Sequence, residues 1–537
     1  MSAEERYFTE RNDAYPEFFC KHINKDERQS YPGSNPVFWR KRLCNPEYGE
    51  LFNDWRFVMS RIGLVGDNSI EYVRILTDIW RNGNCAVLID WRIPFDTAVK
   101  MMEEASVEMC YIEKGKWQEN EGIKNNNFFV LYEKQSNSAE FLPDDVYSGF
   151  SENYGDGEAI ILYSSGTTGS AKGIILSHHA LNTNADAIID YVQPQKDDCF
   201  YIVKPLSHAS TITGELLVGL KRKVKLVVSP IIVPPRFVLN NINHFLATIV
   251  CMNPTLLSIY TRELERGSYS FSSLRAIYVS GSILSDKIYK SAHKAFEKIP
   301  IYNVYGLSEA APRVSAQRKE CCKSNSVGKP IKGVSIKIIS ETGYEVKNGE
   351  LGVVFVKTPS LFSGYVTKNE KLPSYYLDWL NTGDIGYIDE NEELHIAGRQ
   401  DDVIIINSYK IYPSHIEEIV LAHKDVNECA VFLAAAFGLT CVYTTEATRD
   451  IQIEIKKMIK TKVASFERPS VFLAMANLPK TNNGKIDKNQ LIKIIEGGRV
   501  AEDSMQMAST ILNRRNTDDE RDQYCAEKHY SICCKGD

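Results

Sequence analysis

The chain has 537 residues, 43% of them hydrophobic and 25% charged, with a net charge of −6. That length exceeds what one hydrophobic core serves, the composition is that of an ordinary folded protein, and the mild acidity argues against a nucleic-acid binder, which would carry a basic face. The 13 cysteines are scattered and odd in number, as expected of reduced thiols rather than a disulfide framework. Met1-Ser-Ala-Glu-Glu-Arg lacks the apolar core of a signal peptide, and no apolar run is long enough to span a bilayer, so a cytoplasmic location is expected.

Residues 1–55 are polar and aromatic with little periodicity. Arg61 to Gly66 reads as a strand, Ser69 to Trp80 as an amphipathic helix, Cys85 to Ile89 as a strand, Phe95 to Ala105 as a helix and Met109 to Ile112 as a strand. Such alternation predicts a parallel α/β sheet. A second series runs from residue 198 to about 310, with strands expected at Cys199–Val203, Val224–Val228, Ile249–Met252 and Ala276–Val279. From about residue 327 short β-like runs separated by Gly and Asn turns predict a small antiparallel sheet or barrel. After Arg399 a final α/β stretch extends to about 497, and residues 501–537 read as one helix and a loose end, or as disorder.

The most specific stretch is Tyr163-Ser-Ser-Gly-Thr-Thr-Gly-Ser-Ala-Lys-Gly173, which follows the strand-like run Glu158-Ala-Ile-Ile-Leu162. Glycines let backbone N–H groups approach an anion, hydroxyls add donors and lysine neutralises charge, which together make a polyphosphate cradle. The P-loop of kinases and GTPases needs Gly directly before its Lys and Ser or Thr directly after; Lys172 lies between Ala171 and Gly173. Further motifs follow in order: Lys204-Pro-Leu-Ser-His-Ala-Ser210, Val279-Ser-Gly-Ser-Ile-Leu284, Asn303-Val-Tyr-Gly-Leu-Ser-Glu309, Thr382-Gly-Asp-Ile-Gly-Tyr387, Gly398-Arg-Gln-Asp-Asp-Val-Ile404 and Pro479-Lys-Thr-Asn-Asn-Gly-Lys-Ile486.

Over residues 55–497 this set resembles the adenylate-forming superfamily of acyl- and aryl-CoA synthetases, nonribosomal peptide synthetase adenylation domains and luciferases. The resemblance implies a large N-terminal AMP-binding domain over 1–399, made of two α/β lobes and a β-barrel-like subdomain. It also implies a small mobile C-terminal α+β domain over 400–497, with a polar tail over 498–537. It implies that Ser164, Ser165, Gly166, Thr167, Thr168, Gly169 and Lys172 hold the phosphates of ATP. Gly281, Ser282, Asn303, Tyr305, Gly306 and Ser308 would flank the adenine and α-phosphate. Asp384 would grip the ribose, since a carboxylate can accept two hydrogen bonds from a diol, and Arg399 would contact the ribose or phosphate. Thr168 and Glu309 would serve Mg2+, Lys485 would be the catalytic lysine, and Asp401 would be the hinge.

The same resemblance implies ATP-dependent activation of a carboxylic acid to acyl-AMP with release of pyrophosphate, then transfer to the thiol of CoA. The alternative acceptor is the phosphopantetheine of a separate carrier protein. Ser408, Tyr409 and Lys410 would form the thiol-side loop; most relatives have Gly where Ser408 stands. The acid pocket is expected from His208, Ala209, Ser210, Thr211, Gly281, Gly306 and Ala310, and Ala209 replaces the Asp of amino-acid-activating relatives, which favours an aryl or aliphatic acid. Glu215 and Arg313 lie near that wall; each reads first as a solvated residue, with Arg313 as a reader of a second anionic group as the sharper option.

Overall fold

In the computed structural model the described residues are 59–496 apart from 118–119, 121–122, 124–127, 135–137, 143–156, 165–171, 298, 319–324, 341, 367–374, 377, 407–408, 436 and 482–484. All belong to one unit that begins at Met59.

The first α/β series forms as its pattern dictates. In the helix Ile70–Arg81, Ser69 caps the start by accepting from Tyr72 N, and Tyr72, Val73, Leu76, Ile79 and Trp80 turn to the core. Trp80 Nε1 then donates to Ala159 O at 2.9 Å, tying the helix to a strand 79 residues on. The strand Cys85–Ile89 is buried throughout, as a parallel strand covered on both faces must be.

Two large sheets result. The first has seven strands in the order Gly364–Tyr365, Lys172–Ser177, Glu158–Ser164, Cys85–Ile89, Arg61–Val65, Met109–Glu113 and Phe129–Tyr132. The second has eight, in the order Lys329–Pro330, Arg313–Ala316, Ile301–Gly306, Ala276–Val279, Ile249–Met252, Cys199–Ile202, Lys225–Val228 and Ala139–Phe141. Parallel pairing dominates the middle of each sheet, with antiparallel strands added on at least one side: Lys172–Ser177 runs back along Glu158–Ser164, and Arg313–Ala316 along Ile301–Gly306. One core lies between the sheets, where Leu64, Ile160 and Leu162 meet Phe200, Ile202 and Leu226 through Tyr72, Trp80, Leu181, Ile188 and Leu216. Helices also cover the outer faces, Phe95–Glu104 on the first sheet and Pro235–His244, Pro254–Leu264 and Asp286–Ala295 on the second.

The expected antiparallel sheet follows with five strands, Ser335–Ile339, Gly352–Lys357, Tyr375–Tyr376, Trp379–Ile388 and Leu394–Arg399. Beyond it a hairpin, Ile404–Ile406 with Tyr409–Ile411, leads to a three-stranded sheet with helices Pro413–Leu421, Gln452–Lys462 and Lys488–Glu496. That C-terminal part has its own apolar clusters, one around Ile416, Val431 and Ile455 and one around Ala430, Phe432 and Leu491.

An irregular helix spans Ala209–Arg222, with a π-helical stretch at Ile212–Leu217 inside it. A π segment widens the turn and is found mostly at functional sites. Thr211, just before it, and Thr213 and Glu215 within it are all buried.

Candidate active site

The strongest convergence is on the hairpin formed by Trp379–Ile388 and Leu394–Arg399. Register places Asp384 directly across from Arg399. Arg399 Nη1 donates to Asp384 Oδ1 at 3.0 Å, Asp384 N donates to Thr382 Oγ1 at 3.1 Å, and the Tyr305 hydroxyl donates to Asp384 Oδ2. Tyr305 enters from the end of the strand Ile301–Gly306, so the second large sheet and the antiparallel sheet meet at one carboxylate.

Burial raises the Asp384 carboxyl above its ordinary value, while Arg399, Tyr305 and Lys485 oppose that rise. Lys485 sits on the turn that returns Thr481 N to Lys485 O at 2.8 Å. Although its side chain keeps contact with solvent, its pKa is lowered by the protein around it and by repulsion from Arg399, against the pull of Asp384 and Asp402. The residue 86 positions beyond Arg399 in the chain is thus its electrostatic neighbour. Arg399 Nε is buried without a hydrogen-bond partner, a donor held ready in the same cluster.

A second group lies where the first sheet meets the 3₁₀ turn Ser308–Ala310. Tyr365 donates its hydroxyl to Glu309 Oε1 at 3.0 Å, and the Lys172 ammonium stands 5.3 Å from the centre of the Tyr365 ring. Phe362 N donates to Glu309 O at 2.9 Å, which fixes the turn. Ser164 pairs with Lys172 across the antiparallel strands, so the two ends of the Gly/Thr loop are held together. The loop residues Ser165, Gly166, Thr167, Thr168 and Gly169, and the side chain of Ser164, lie outside the described residues, as do Ser408 and the side chains of Tyr409 and Lys410. Tyr365 had no local signal in the sequence; only the pairing of Gly364–Tyr365 with Ile174 and Ile175 brings it to Glu309.

Gly306 needs to be glycine, since a Cβ there would fall 2.0 Å from Pro312 O. Leu307 N donates to that same oxygen at 2.9 Å, which closes the Tyr305–Arg313 turn. Gly281 has φ +100° at the exposed end of the strand Ala276–Val279, next to exposed Ser282. Asn303 is 4% exposed, and its side-chain amide donates to Ser326 O at 2.9 Å, tying its strand to the segment before Lys329–Pro330. Asp401 is exposed on the turn after Arg399.

Among the pocket candidates, Ala310 lies in the 3₁₀ turn Ser308–Ala310, and His208, Ala209, Ser210 and Thr211 lie at the start of the irregular helix. His208 occupies its N-cap position and acts on the charge of Asp90, which Arg92 and His208 hold below the usual carboxylate range against its burial. Ser210 Oγ accepts from Lys204 Nζ at 3.1 Å, and Ala209, Thr211 and Ala310 are buried.

The solvated reading of Glu215 and Arg313 is wrong: they are 1% and 3% exposed. Glu215 pairs with Lys204 at 3.0 Å, and burial pushes its carboxyl up to about 7 while Lys204 and Arg313 pull it down. Arg313 lies on the strand Arg313–Ala316, paired across from Gly306, its backbone N–H held by Asn184 Oδ1 at 3.0 Å, and its guanidinium reaches Gly214 of the π segment. Arg313 Nε and the hydroxyls of Thr211 and Thr213 are buried with no hydrogen-bond partner. Two buried cations thus act on one buried carboxylate, Lys204 by direct pairing and Arg313 through its charge.

This arrangement matches a known family. Residues 58–366 match the model of the AMP-binding enzyme family, and 415–485 match the model of its C-terminal domain. The chain belongs to the AMP-binding enzyme family. It is 25% identical over 376 residues to 4-coumarate–CoA ligase 1 of Arabidopsis thaliana, an alignment that covers 66% of this chain and 64% of that protein. It is 25% identical over 451 residues to 2-succinylbenzoate–CoA ligase of Bacillus mycoides, covering 81% of this chain and 89% of the relative. The chain therefore spans less than two thirds of the Arabidopsis relative and most of the Bacillus one. Among solved structures, ATP-bound MatB from Rhodopseudomonas palustris superposes with a TM-score of 0.71 at 24% identity, over 81% of this chain and 88% of that one. O-succinylbenzoate coenzyme A synthetase of Bacillus subtilis, in complex with ATP and magnesium ion, does so with a TM-score of 0.68 at 23% identity, over 81% and 90%. At that identity the superpositions establish the fold, a large N-terminal domain followed by a small C-terminal one. The protein is an AMP-forming ligase of the acid–thiol class, whose members use ATP with Mg2+.

The donor set fits those groups. Glu309 is a half-buried carboxylate whose one side-chain partner among the described residues is a neutral phenol, so its charge is left for a hard cation. Asp384, Arg399 and Lys485 supply an acceptor for a diol and two cations for phosphate oxygens. Among the described residues no helix is long and apolar enough to cross a membrane.

Proposed function

We propose that this protein converts a carboxylic acid to acyl-AMP and then to its CoA thioester. The observation that carries the reading is the meeting of Tyr305, Asp384, Arg399 and Lys485, from three separate parts of the chain, around one carboxylate. In the first half-reaction a substrate carboxylate oxygen bonds to the α-phosphorus of ATP and the bond to pyrophosphate breaks. In the second, the thiol sulfur bonds to the acyl carbon and AMP leaves with the electron pair. The protein has little covalent work to do; alignment and neutralisation of charge dominate.

In this proposal Asp384 accepts from the ribose hydroxyls while Arg399 keeps it ionised, and Lys485 places its ammonium between the carboxylate and the α-phosphate. Glu309, steadied by Tyr365, would hold Mg2+, which when bound neutralises phosphate charge. Thr168 and its loop neighbours, with Lys172, would cradle the outer phosphates. Residues 400–496 would act as a small domain turning about Asp401. In the present arrangement Lys287 Nζ joins it to the large domain by donating to His423 O and Lys424 O at 3.0 Å each and to Val426 O. CoA is favoured over a carrier-protein thiol because the named relatives are CoA ligases.

The acid itself is proposed to carry a second polar or anionic group that reaches Arg313. Support comes from the excess of buried cation over anion at Lys204, Glu215 and Arg313, and from the partnerless Arg313 Nε, Thr211 and Thr213. Pyrophosphate exchange across matched mono- and dicarboxylic acids, followed by CoA addition, tests both levels. A diacid is expected to be preferred, with the preference lost in Arg313→Met. Absence of exchange with every acid would refute the activity, whereas exchange with an unaltered preference in Arg313→Met would refute only the pocket assignment.

A further inference from the structure

At the closed end of the Trp379–Ile388 and Leu394–Arg399 hairpin, Asp389, Glu393 and His395 each turn a ligand-type atom inward, all within 4.8 Å of one another. The turn itself orients Asp389, whose Oδ1 accepts from Asn391 N and Glu393 N at 2.9 Å each. That leaves Oδ2 facing His395 Nε2 at 3.1 Å. His395 Nδ1 lies 2.6 Å from Asn325 O. A carbonyl can only accept, so Nδ1 carries the hydrogen, and Tyr387 stacks on the ring with centroids 4.5 Å apart. A donated Nδ1–H and a stacked face are how a metal-binding imidazole is aimed.

Two electron-rich atoms 3.1 Å apart need a positive species between them. A second proton on His395 would satisfy Asp389, but it would leave Glu393 unanswered. Glu393 is 1% exposed, and its Oε2 is buried with no hydrogen-bond partner. An unpaired carboxylate in that setting is costly, whereas one divalent cation answers all three side chains at once.

We propose that Asp389, Glu393 and His395 bind one divalent transition-metal ion, with water completing its coordination. One imidazole nitrogen and two carboxylate oxygens suit a borderline ion such as Zn2+ better than Mg2+, which prefers an all-oxygen octahedron. Ligand atoms on a tetrahedral zinc stand about 3.3 Å apart, so small side-chain rotations close the site. The ion ties the two strands at Tyr387 and His395, the same strands that place Asp384 opposite Arg399. It is separate from Glu309, and its role is to fix the hairpin rather than to touch substrate.

The test uses the full chain, stripped with chelator, then equilibrated with Zn2+ and dialysed. Bound zinc is measured by elemental analysis and unfolding by a thermal scan. The 13 cysteines give a background shared by all variants, so the difference is what counts. Wild type is expected to hold one zinc more per chain than Glu393→Gln or Asp389→Asn, with a zinc-dependent rise in melting temperature that the variants lack and that excess Mg2+ does not replace. Zinc affinity should fall at least about tenfold in either variant, the loss that removal of even an outer-shell partner causes. If Glu393→Gln does not fold, Asp389→Asn carries the comparison. Equal zinc content and equal melting shifts in all three proteins, or no zinc response in wild type, would overturn the proposal and leave an imidazolium at His395 in the ion's place.

Discussion

Glu215 makes the stability of this protein depend on pH in a direction opposite to that of most carboxylates. Its carboxyl is fully enclosed and is pushed by burial from an ordinary 4.5 up to about 7, with Lys204 and Arg313 pulling against the rise. The folded state therefore binds a proton that the unfolded state has already released. Stability from this group is complete below about pH 4.5 and is lost progressively until about pH 7. At about 1.4 kcal/mol per tenfold, the loss over that window is roughly 3 kcal/mol. Glu215→Gln removes the titration while keeping the shape. The perturbation is read as the difference in unfolding free energy between wild type and variant, from urea denaturation at half-unit steps between pH 4.5 and 8, so that titrations common to both cancel. Wild type should lose roughly 3 kcal/mol relative to the variant as pH rises, most of it between pH 5 and 7. A difference that is flat with pH, or that grows in favour of wild type, would refute the placement of Glu215 in a dry interior.

Two further outcomes follow from the site. Lys485→Ala should slow carboxylate-dependent pyrophosphate exchange by on the order of 100-fold or more, with an unchanged thermal transition, because a preorganised cation is removed from a solvent-accessible turn; exchange at the wild-type rate would exclude Lys485 from the chemistry. Gly306→Ala should destabilise the chain by about 1–3 kcal/mol or more, since its methyl would fall 2.0 Å from Pro312 O, and a melting temperature equal to wild type would contradict the Tyr305–Arg313 turn.

Much of the proposed site could be read locally because each of its parts is a short run with its own turn chemistry. Thr382-Gly-Asp and Tyr305-Gly-x-Ser-Glu are recognisable before any fold is known, and the strands Ile249–Met252 and Ala276–Val279 occur where their apolar runs predict. Structure and sequence part where burial contradicts residue type. Glu215 and Arg313 read as solvated because charged side chains usually are; Glu215 in the π segment and Arg313 on a strand paired on both sides are instead buried. Tyr365 carries no local mark in the sequence, 56 residues from the carboxylate it steadies.

The order of elements, the two α/β series and the short motifs are properties of the linear chain, because hydrophobic period and glycine placement act over a few residues. Which distant groups share a carboxylate was decided only by strand order and register. Asp384 meets Arg399 through antiparallel pairing, Tyr305 reaches both from another sheet, and Asp389, Glu393 and His395 gather because a hairpin turn folds them together. Those meetings depend on long-range packing and on the exclusion of water, neither of which a local pattern encodes.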